Sequence, residues 1–206
     1  MRAHGLWLLS VLTCGGHPMA QAPVRPGIEV LLTDSVALLA GKRLALLTNQ
    51  GGLDRQGRRD VDLLLAASRA RPAALFAPPQ LALAFSPEHG FRGGVDRPGL
   101  PDAIDSATGT PIYSLYTSPR APNYSVLDSV DVVLIDLQDI GARYYTYPPT
   151  AVLLMRQAAL RHKRVIVLDR PNPVGGALVQ GNLRQMPASL DSIGSSLDIL
   201  PLAMRH

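Results

Sequence analysis

The sequence predicts an α/β protein: an open parallel sheet with helices on both faces, three layers in all. Three observations predict it. Four short apolar runs read as strands, amphipathic segments lie between them, and every run ends in a polar cluster. Unbroken apolar runs, rather than strict alternation, are what strands covered on both faces require. Strands alternating with helices imply parallel pairing through right-handed crossovers.

The first strand is expected at residues 43–48 (RLALLT). Residues 60–70 (DVDLLLAASRA) open with an acid and space Val61, Leu64 and Leu65 on one face, which predicts a helix. A second strand is expected at residues 74–76, either extended or replaced by residues 81–85. Residues 93–123 are rich in Pro, Gly, Ser and Thr and read as a long surface excursion, a kind of loop that is usually functional. A helical turn at 125–129 precedes the third strand at 130–137 (VDVVLIDL). Residues 150–162 form a second helix whose basic end suits the negative pole of its dipole, and residues 164–169 (RVIVLD) form the fourth strand. Past Gly175 the pattern decays.

A chain of 206 residues has room for one domain with a full core, or for one domain and part of another. Its 47% hydrophobic and 17% charged residues exclude intrinsic disorder, and 18 Gly with 18 Pro imply many sharp turns. The net charge of +4 is carried by scattered arginines, since Lys42 and Lys163 are the only lysines. With no basic run and no interleaved aromatics, a nucleic-acid groove is unsupported.

The amino terminus is basic at Arg2, apolar from Leu6 to Leu12, and then small through Ala20-Gln21-Ala22. That order reads as a secretory signal peptide over residues 1–22, which implies export to the periplasm or the extracellular space. Cys14 is a weaker lipoprotein acceptor, because Thr13 before it is larger than the Gly, Ala or Ser wanted there. After export no cysteine remains. No other stretch approaches the roughly 18 apolar residues of a membrane span.

Parallel strands bring their carboxyl ends to one edge, where open α/β sheets bind ligands. The four clusters there are Thr48-Asn49-Gln50-Gly51-Gly52, Ser86-Pro87-Glu88-His89-Gly90, the run from Asp136 to Tyr147, and Asp169-Arg170-Pro171-Asn172-Pro173. For Asn49, Asp60 and Asn172, capping or turn duty competes with ligand contact. Glu88-His89 lacks the spacing of a cap and places two titratable groups at a strand end. The three tyrosines beside Arg143 serve equally as core packing or as a sugar-facing wall. There is no G-x-G-x-x-G, Walker A or G-x-S-x-G motif, and with three histidines and no cysteine after export no zinc site is expected. What remains is carboxylate chemistry at Glu88, Asp136, Asp139 and Asp169, the equipment of glycoside hydrolysis.

At these residues the chain resembles a family. The strings Gly27–Leu32, Leu47–Gln50, FSPEHGFRG at 85–93, IYSLY at 112–116, DLQDIGARYYTY at 136–147 and LDRPNP at 168–173 are similar to the NamZ-type exo-β-N-acetylmuramidases, formerly a domain of unknown function. The resemblance runs from about Gly27 to His206. It implies release of terminal N-acetylmuramic acid from the non-reducing end of peptidoglycan fragments, so the expected partners are muropeptides or disaccharides. It also implies a Rossmann-like catalytic domain, here residues 27–185, followed by a smaller carboxyl-terminal domain. Family members are roughly twice as long, so residues 186–206 are expected to be the start of a truncated second region. The stretch 77–84 reads as an insertion ahead of the SPEHG string. Glu88 is the expected general acid, a role an enclosed site supports by keeping a carboxyl protonated. Asp136 or Asp139 is the second carboxylate. Asn49, His89, Gln138, Arg143, Tyr147, Asp169, Arg170 and Asn172 are expected around the sugar. Arg143 is matched to the lactyl carboxylate, with Arg170 and Arg92 in reserve, and pairing of Arg143 with Asp139 is its alternative. No cofactor is needed. A non-catalytic muropeptide-binding module is the alternative function.

Overall fold

The computed structural model describes residues 24–69, 77–97, 99–117, 121–142, 144–175, 177–178 and 180–181. The expected signal peptide, the expected strand at 74–76, Arg143 and residues 186–206 lie outside the described residues. Helix α1 (Gly27–Asp34) and a 3₁₀ turn (Val36–Leu39) lead into strand β1 (Arg43–Thr48). Helix α2 (Asp60–Arg69) precedes β2 (Gln80–Ser86), after which come β3 (Ala103–Ile104) and β4 (Pro111–Ser114). A second 3₁₀ turn (Tyr124–Ser129), β5 (Val132–Asp136), α3 (Tyr147–Leu160) and β6 (Arg164–Val167) complete the order.

The strands make one sheet in the order β3-β4-β2-β1-β5-β6. All pairings are parallel except β3 with β4. Counted alone, the parallel strands run 3-2-1-4-5, a doubly wound, Rossmann-like order whose direction of winding reverses between β1 and β5. At that reversal Thr48 lies opposite Asp136.

Alternation along the strands divides the core in two. Leu44, Leu46, Val132 and Leu134 pack against Ile28 and Leu31 of α1, Leu39, and Val61 and Leu64 of α2. Ala45, Leu47, Val133 and Ile135 point the other way, onto Leu127, Leu154 and Ala158. Each fully buried leucine contributes about 2 kcal/mol. Leu81 and Leu83 are two residues apart yet face opposite layers. A register shift opposite Leu44 and Ala45 inserts one residue in β2 and flips its later side chains. Helix α1 docks on the end of β6, where the Gly27 N–H donates to the Asp169 carbonyl at 3.1 Å. A Cβ on Gly27 would lie 2.6 Å from the Leu168 backbone, so this approach requires glycine.

Three expectations need correction. The excursion at 93–123 is not structureless: β4 extends the parallel sheet and β3 adds an antiparallel edge. The α3 helix starts at Tyr147, three residues earlier than predicted, because Pro148 and Pro149 occupy a first turn where missing N–H groups cost nothing. Helix α1 was not anticipated, being eight residues long with no side-chain cap. The second strand takes the replacement position, as β2.

Candidate functional site

The four polar clusters meet at the carboxyl edge of β1, β2, β5 and β6, as parallel pairing requires. Glu88 stands just beyond β2 in a tight reversal, with His89 at φ +67° and Gly90 at φ +78°. The Thr146 hydroxyl, from the segment entering α3, donates to Glu88 Oε2 at 2.6 Å. Tyr147 is buried, and its hydroxyl donates to the Glu88 carbonyl at 3.2 Å. The Tyr116 hydroxyl also bonds the Glu88 carboxylate; this bond, then the Glu88 charge and burial, raises the Tyr116 pKa. Glu88 is thus held by groups from the loops after β4 and β5. Hydroxyls both donate and accept, so this seat tolerates either protonation state of the carboxyl.

Of the two aspartates left open as second carboxylate, Asp136 has no exposed surface and Asp139 is half-buried. The guanidinium of Arg170 forks onto both Asp136 oxygens, with Nη2 to Oδ2 at 3.0 Å, and also reaches the Leu53 carbonyl at 3.0 Å. This corrects the expected placement of Asp136 and Arg170 in contact with sugar: they form a buried brace linking β5, the loop after β1 and the loop after β6. Asp60 joins them from the start of α2, with Oδ1 4.0 Å from Arg170. Neither Asp60 oxygen receives a hydrogen bond from a donor group. Burial, then the Asp136 charge, pushes the Asp60 pKa up to about 9. Asp60 is therefore protonated at neutrality and shares its proton with Asp136. Gly52 packs over this pair; a Cβ there would sit 2.8 Å from Asp60 Oδ2 and still closer to Thr48.

The remaining expected residues divide by what they touch. Asn49, Asp139 and Asn172 each accept a backbone N–H two residues on, from Gly51, Gly141 and Val174, so all three shape turns. Gln138 donates to the carbonyls of Asp139 and Pro171 and ties the β5 and β6 loops together. His89 Nδ1 lies 3.3 Å from the Val95 carbonyl and 3.7 Å from Asp96. Asp169 is exposed and lines a separate, largely apolar groove of about 400 Å³ between α1 and β6. In the tyrosine run, Tyr144 is 82% exposed, while Tyr145 packs on Tyr147 with ring centres 4.5 Å apart. Burial pushes the Tyr145 pKa up to about 12. Thr146 and Tyr116 fall inside the strings at 136–147 and 112–116, but nothing in their spacing marked them as partners of Glu88. Among the described residues, no three of His, Cys, Asp and Glu group as metal ligands do.

A doubly wound sheet with a carboxylate held beside its winding reversal defines a Rossmann-like domain with a polar crevice. The model of the family "Exo-beta-N-acetylmuramidase NamZ, N-terminal" matches residues 44–206, and the chain belongs to that family. Peptidoglycan β-N-acetylmuramidase NamZ of Bacillus subtilis (strain 168) is 36% identical over 186 residues, covering 89% of this chain and 41% of that protein. Two crystal structures of DUF1343 family proteins from Bacteroides fragilis are also similar. One is 40% identical with a TM-score of 0.64, covering 78% of this chain and 38% of its own. The other is 33% identical with a TM-score of 0.57, covering 74% and 36%. The chain thus spans about two fifths of the length of the curated relative.

Proposed function

We propose that this chain carries the crevice of an exo-acting β-N-acetylmuramidase, which releases terminal N-acetylmuramic acid from the non-reducing end of peptidoglycan fragments. Family membership supports the reaction class. The observation that carries it is the seat of Glu88, a carboxyl fixed at a strand end by hydroxyls from two other loops. In this reading Glu88 protonates the departing glycosidic oxygen. Asp139, the half-buried aspartate, supplies the second carboxylate, which stabilises or traps the oxocarbenium-like centre or activates water. Asp136, braced by Arg170, holds the floor of the crevice. Peptidoglycan lies outside the cytoplasmic membrane, and export directed by the basic and apolar amino terminus accords with that substrate.

Glu88→Gln tests the assignment. The amide keeps the shape and the hydroxyl contacts but has no proton to give, so hydrolysis of a chromogenic N-acetylmuramic acid glycoside is expected to fall about 100-fold or more while binding persists. Activity within a few-fold of the parent overturns the role of Glu88. Binding without turnover by the parent assigns the chain to the alternative, a muropeptide-binding module.

A further inference from the structure

We infer that the cavity beside the carboxyl ends of β1 and β2 is a carboxylate subsite, in which Arg59 and Arg92 grip an acidic substituent of the glycan and so select an acidic amino sugar over its neutral counterpart. The inference rests on the glycosidase reading above and states how that site chooses its substrate. The cavity measures about 160 Å³, room for a short acid, and Phe91 forms part of its wall.

Arg59 arrives from the residue before α2, where its backbone bridges to Leu53. Its Nε and Nη2 fork onto Asp62, each at 2.8 Å. Its Nη1 is buried and makes no hydrogen bond, with Asp105 Oδ2 at 3.7 Å out of range. A buried guanidinium nitrogen without an acceptor is costly, and an incoming carboxylate oxygen would remove that cost. Arg92 enters from the other side, four residues after Glu88. It commits Nη2 to Asp105 and keeps 55% of its side chain exposed. Planar guanidiniums suit carboxylates because they offer parallel donors.

Two further features favour an anion here. Asp60 is the one acidic side chain among the described residues that line the cavity, and its burial keeps it neutral at physiological pH. The cavity also adjoins the turn that bears Glu88. Gln50, in its wall, packs so closely on Gly93 that a Cβ on Gly93 would lie 2.3 Å from the Gln50 side chain. An acid bound between Arg59 and Arg92 would therefore position the sugar that carries it beside Glu88. N-acetylmuramic acid carries such a group, a lactyl ether ionised at neutral pH, which N-acetylglucosamine lacks.

The test is calorimetric titration of the full chain with N-acetylmuramic acid and with N-acetylglucosamine, alongside kcat/KM for their chromogenic glycosides. The parent should prefer the acidic sugar by about tenfold or more. R59Q and R92Q should each cut that preference to within about threefold, leaving the affinity for N-acetylglucosamine unchanged. Because R92Q takes a partner from buried Asp105, R59K and R92K serve as second variants; they keep the charge but lose the fork, and should give an intermediate preference. Turnover with a selectivity that none of these variants changes overturns the subsite and leaves the glycosidase reading standing. An arginine-dependent binding preference without turnover supports the subsite and overturns catalysis. A parent that prefers neither sugar overturns the subsite whatever its turnover.

Discussion

His89 adopts φ +67°, a left-handed conformation that costs a non-glycine residue about 1 kcal/mol or more. It is followed by Gly90 in the same region, and the two reverse the chain at the end of β2, directly after Glu88. The carboxyl is then caught by Thr146 across 58 intervening positions of sequence separation. If that hydroxyl orients Glu88 for proton transfer, Thr146→Val should lower kcat about tenfold with KM nearly unchanged, the size of one lost charge-assisted hydrogen bond. Thr146→Ser, which keeps the donor, should restore most of it. Equal rates for the two variants would show that the contact only shapes the loop. At this scale the sequence was half legible. Glu88-His89 stood out because its spacing fits no cap, whereas Tyr116 and Thr146 gained their roles only when separate loops met. Asn49 and Asn172 were open between turn and ligand; the turn is what the structure shows.

The start of α2 carries a protonation equilibrium of its own. Asp60 titrates near 3.8 when unfolded, and burial beside Asp136 raises that to about 9 in the folded chain. Between these values the folded chain holds a proton that the unfolded chain has released. Stability is therefore greatest below the lower value, falls by up to about 1.4 kcal/mol per pH unit above it, and levels off past the upper one. Asp60→Asn offers Asp136 an amide donor and has no proton to take up. It should flatten melting temperature against pH between 5 and 9, and at pH 8 should exceed the parent by on the order of 2 kcal/mol. An equal loss of stability at pH 5 and pH 8 would mean that Asp60 is ionised in the fold. The elements themselves were legible in proportion to their burial. β1 and β5 are unbroken apolar runs because layers cover both faces, while β3 and β4 are two and four residues at the sheet edge and carry too few apolar positions to stand out. Asp60 read as a helix cap, since its partners Asp136 and Arg170 lie 76 and 110 residues further on.

In the whole molecule, three layers place the crevice on the best-protected strands. β1 pairs with β2 and β5 along its whole length and is buried from Leu44 to Thr48. β6 pairs on one side only, and Val167 is 58% exposed. Alternating strands and helices made the layers and the common edge legible in the sequence; the strand order was not, because it depends on where each crossover returns. The brace of Arg170 on Asp136 joins the β6 loop to the centre of the sheet, so the floor of the crevice is tied to β1 and β5 rather than to the edge. Hydrogen exchange should follow this plan. Amides of β1, β2 and β5 are expected to exchange only through global opening, and those of β6 and β3 at least about 100-fold faster through local opening. Mass-spectrometric exchange at two pH values within the stable range would measure both. Equal protection of β6 and β1 would mean that the β6 edge is covered in solution, and the groove between α1 and β6 would then be part of an interface rather than a free surface.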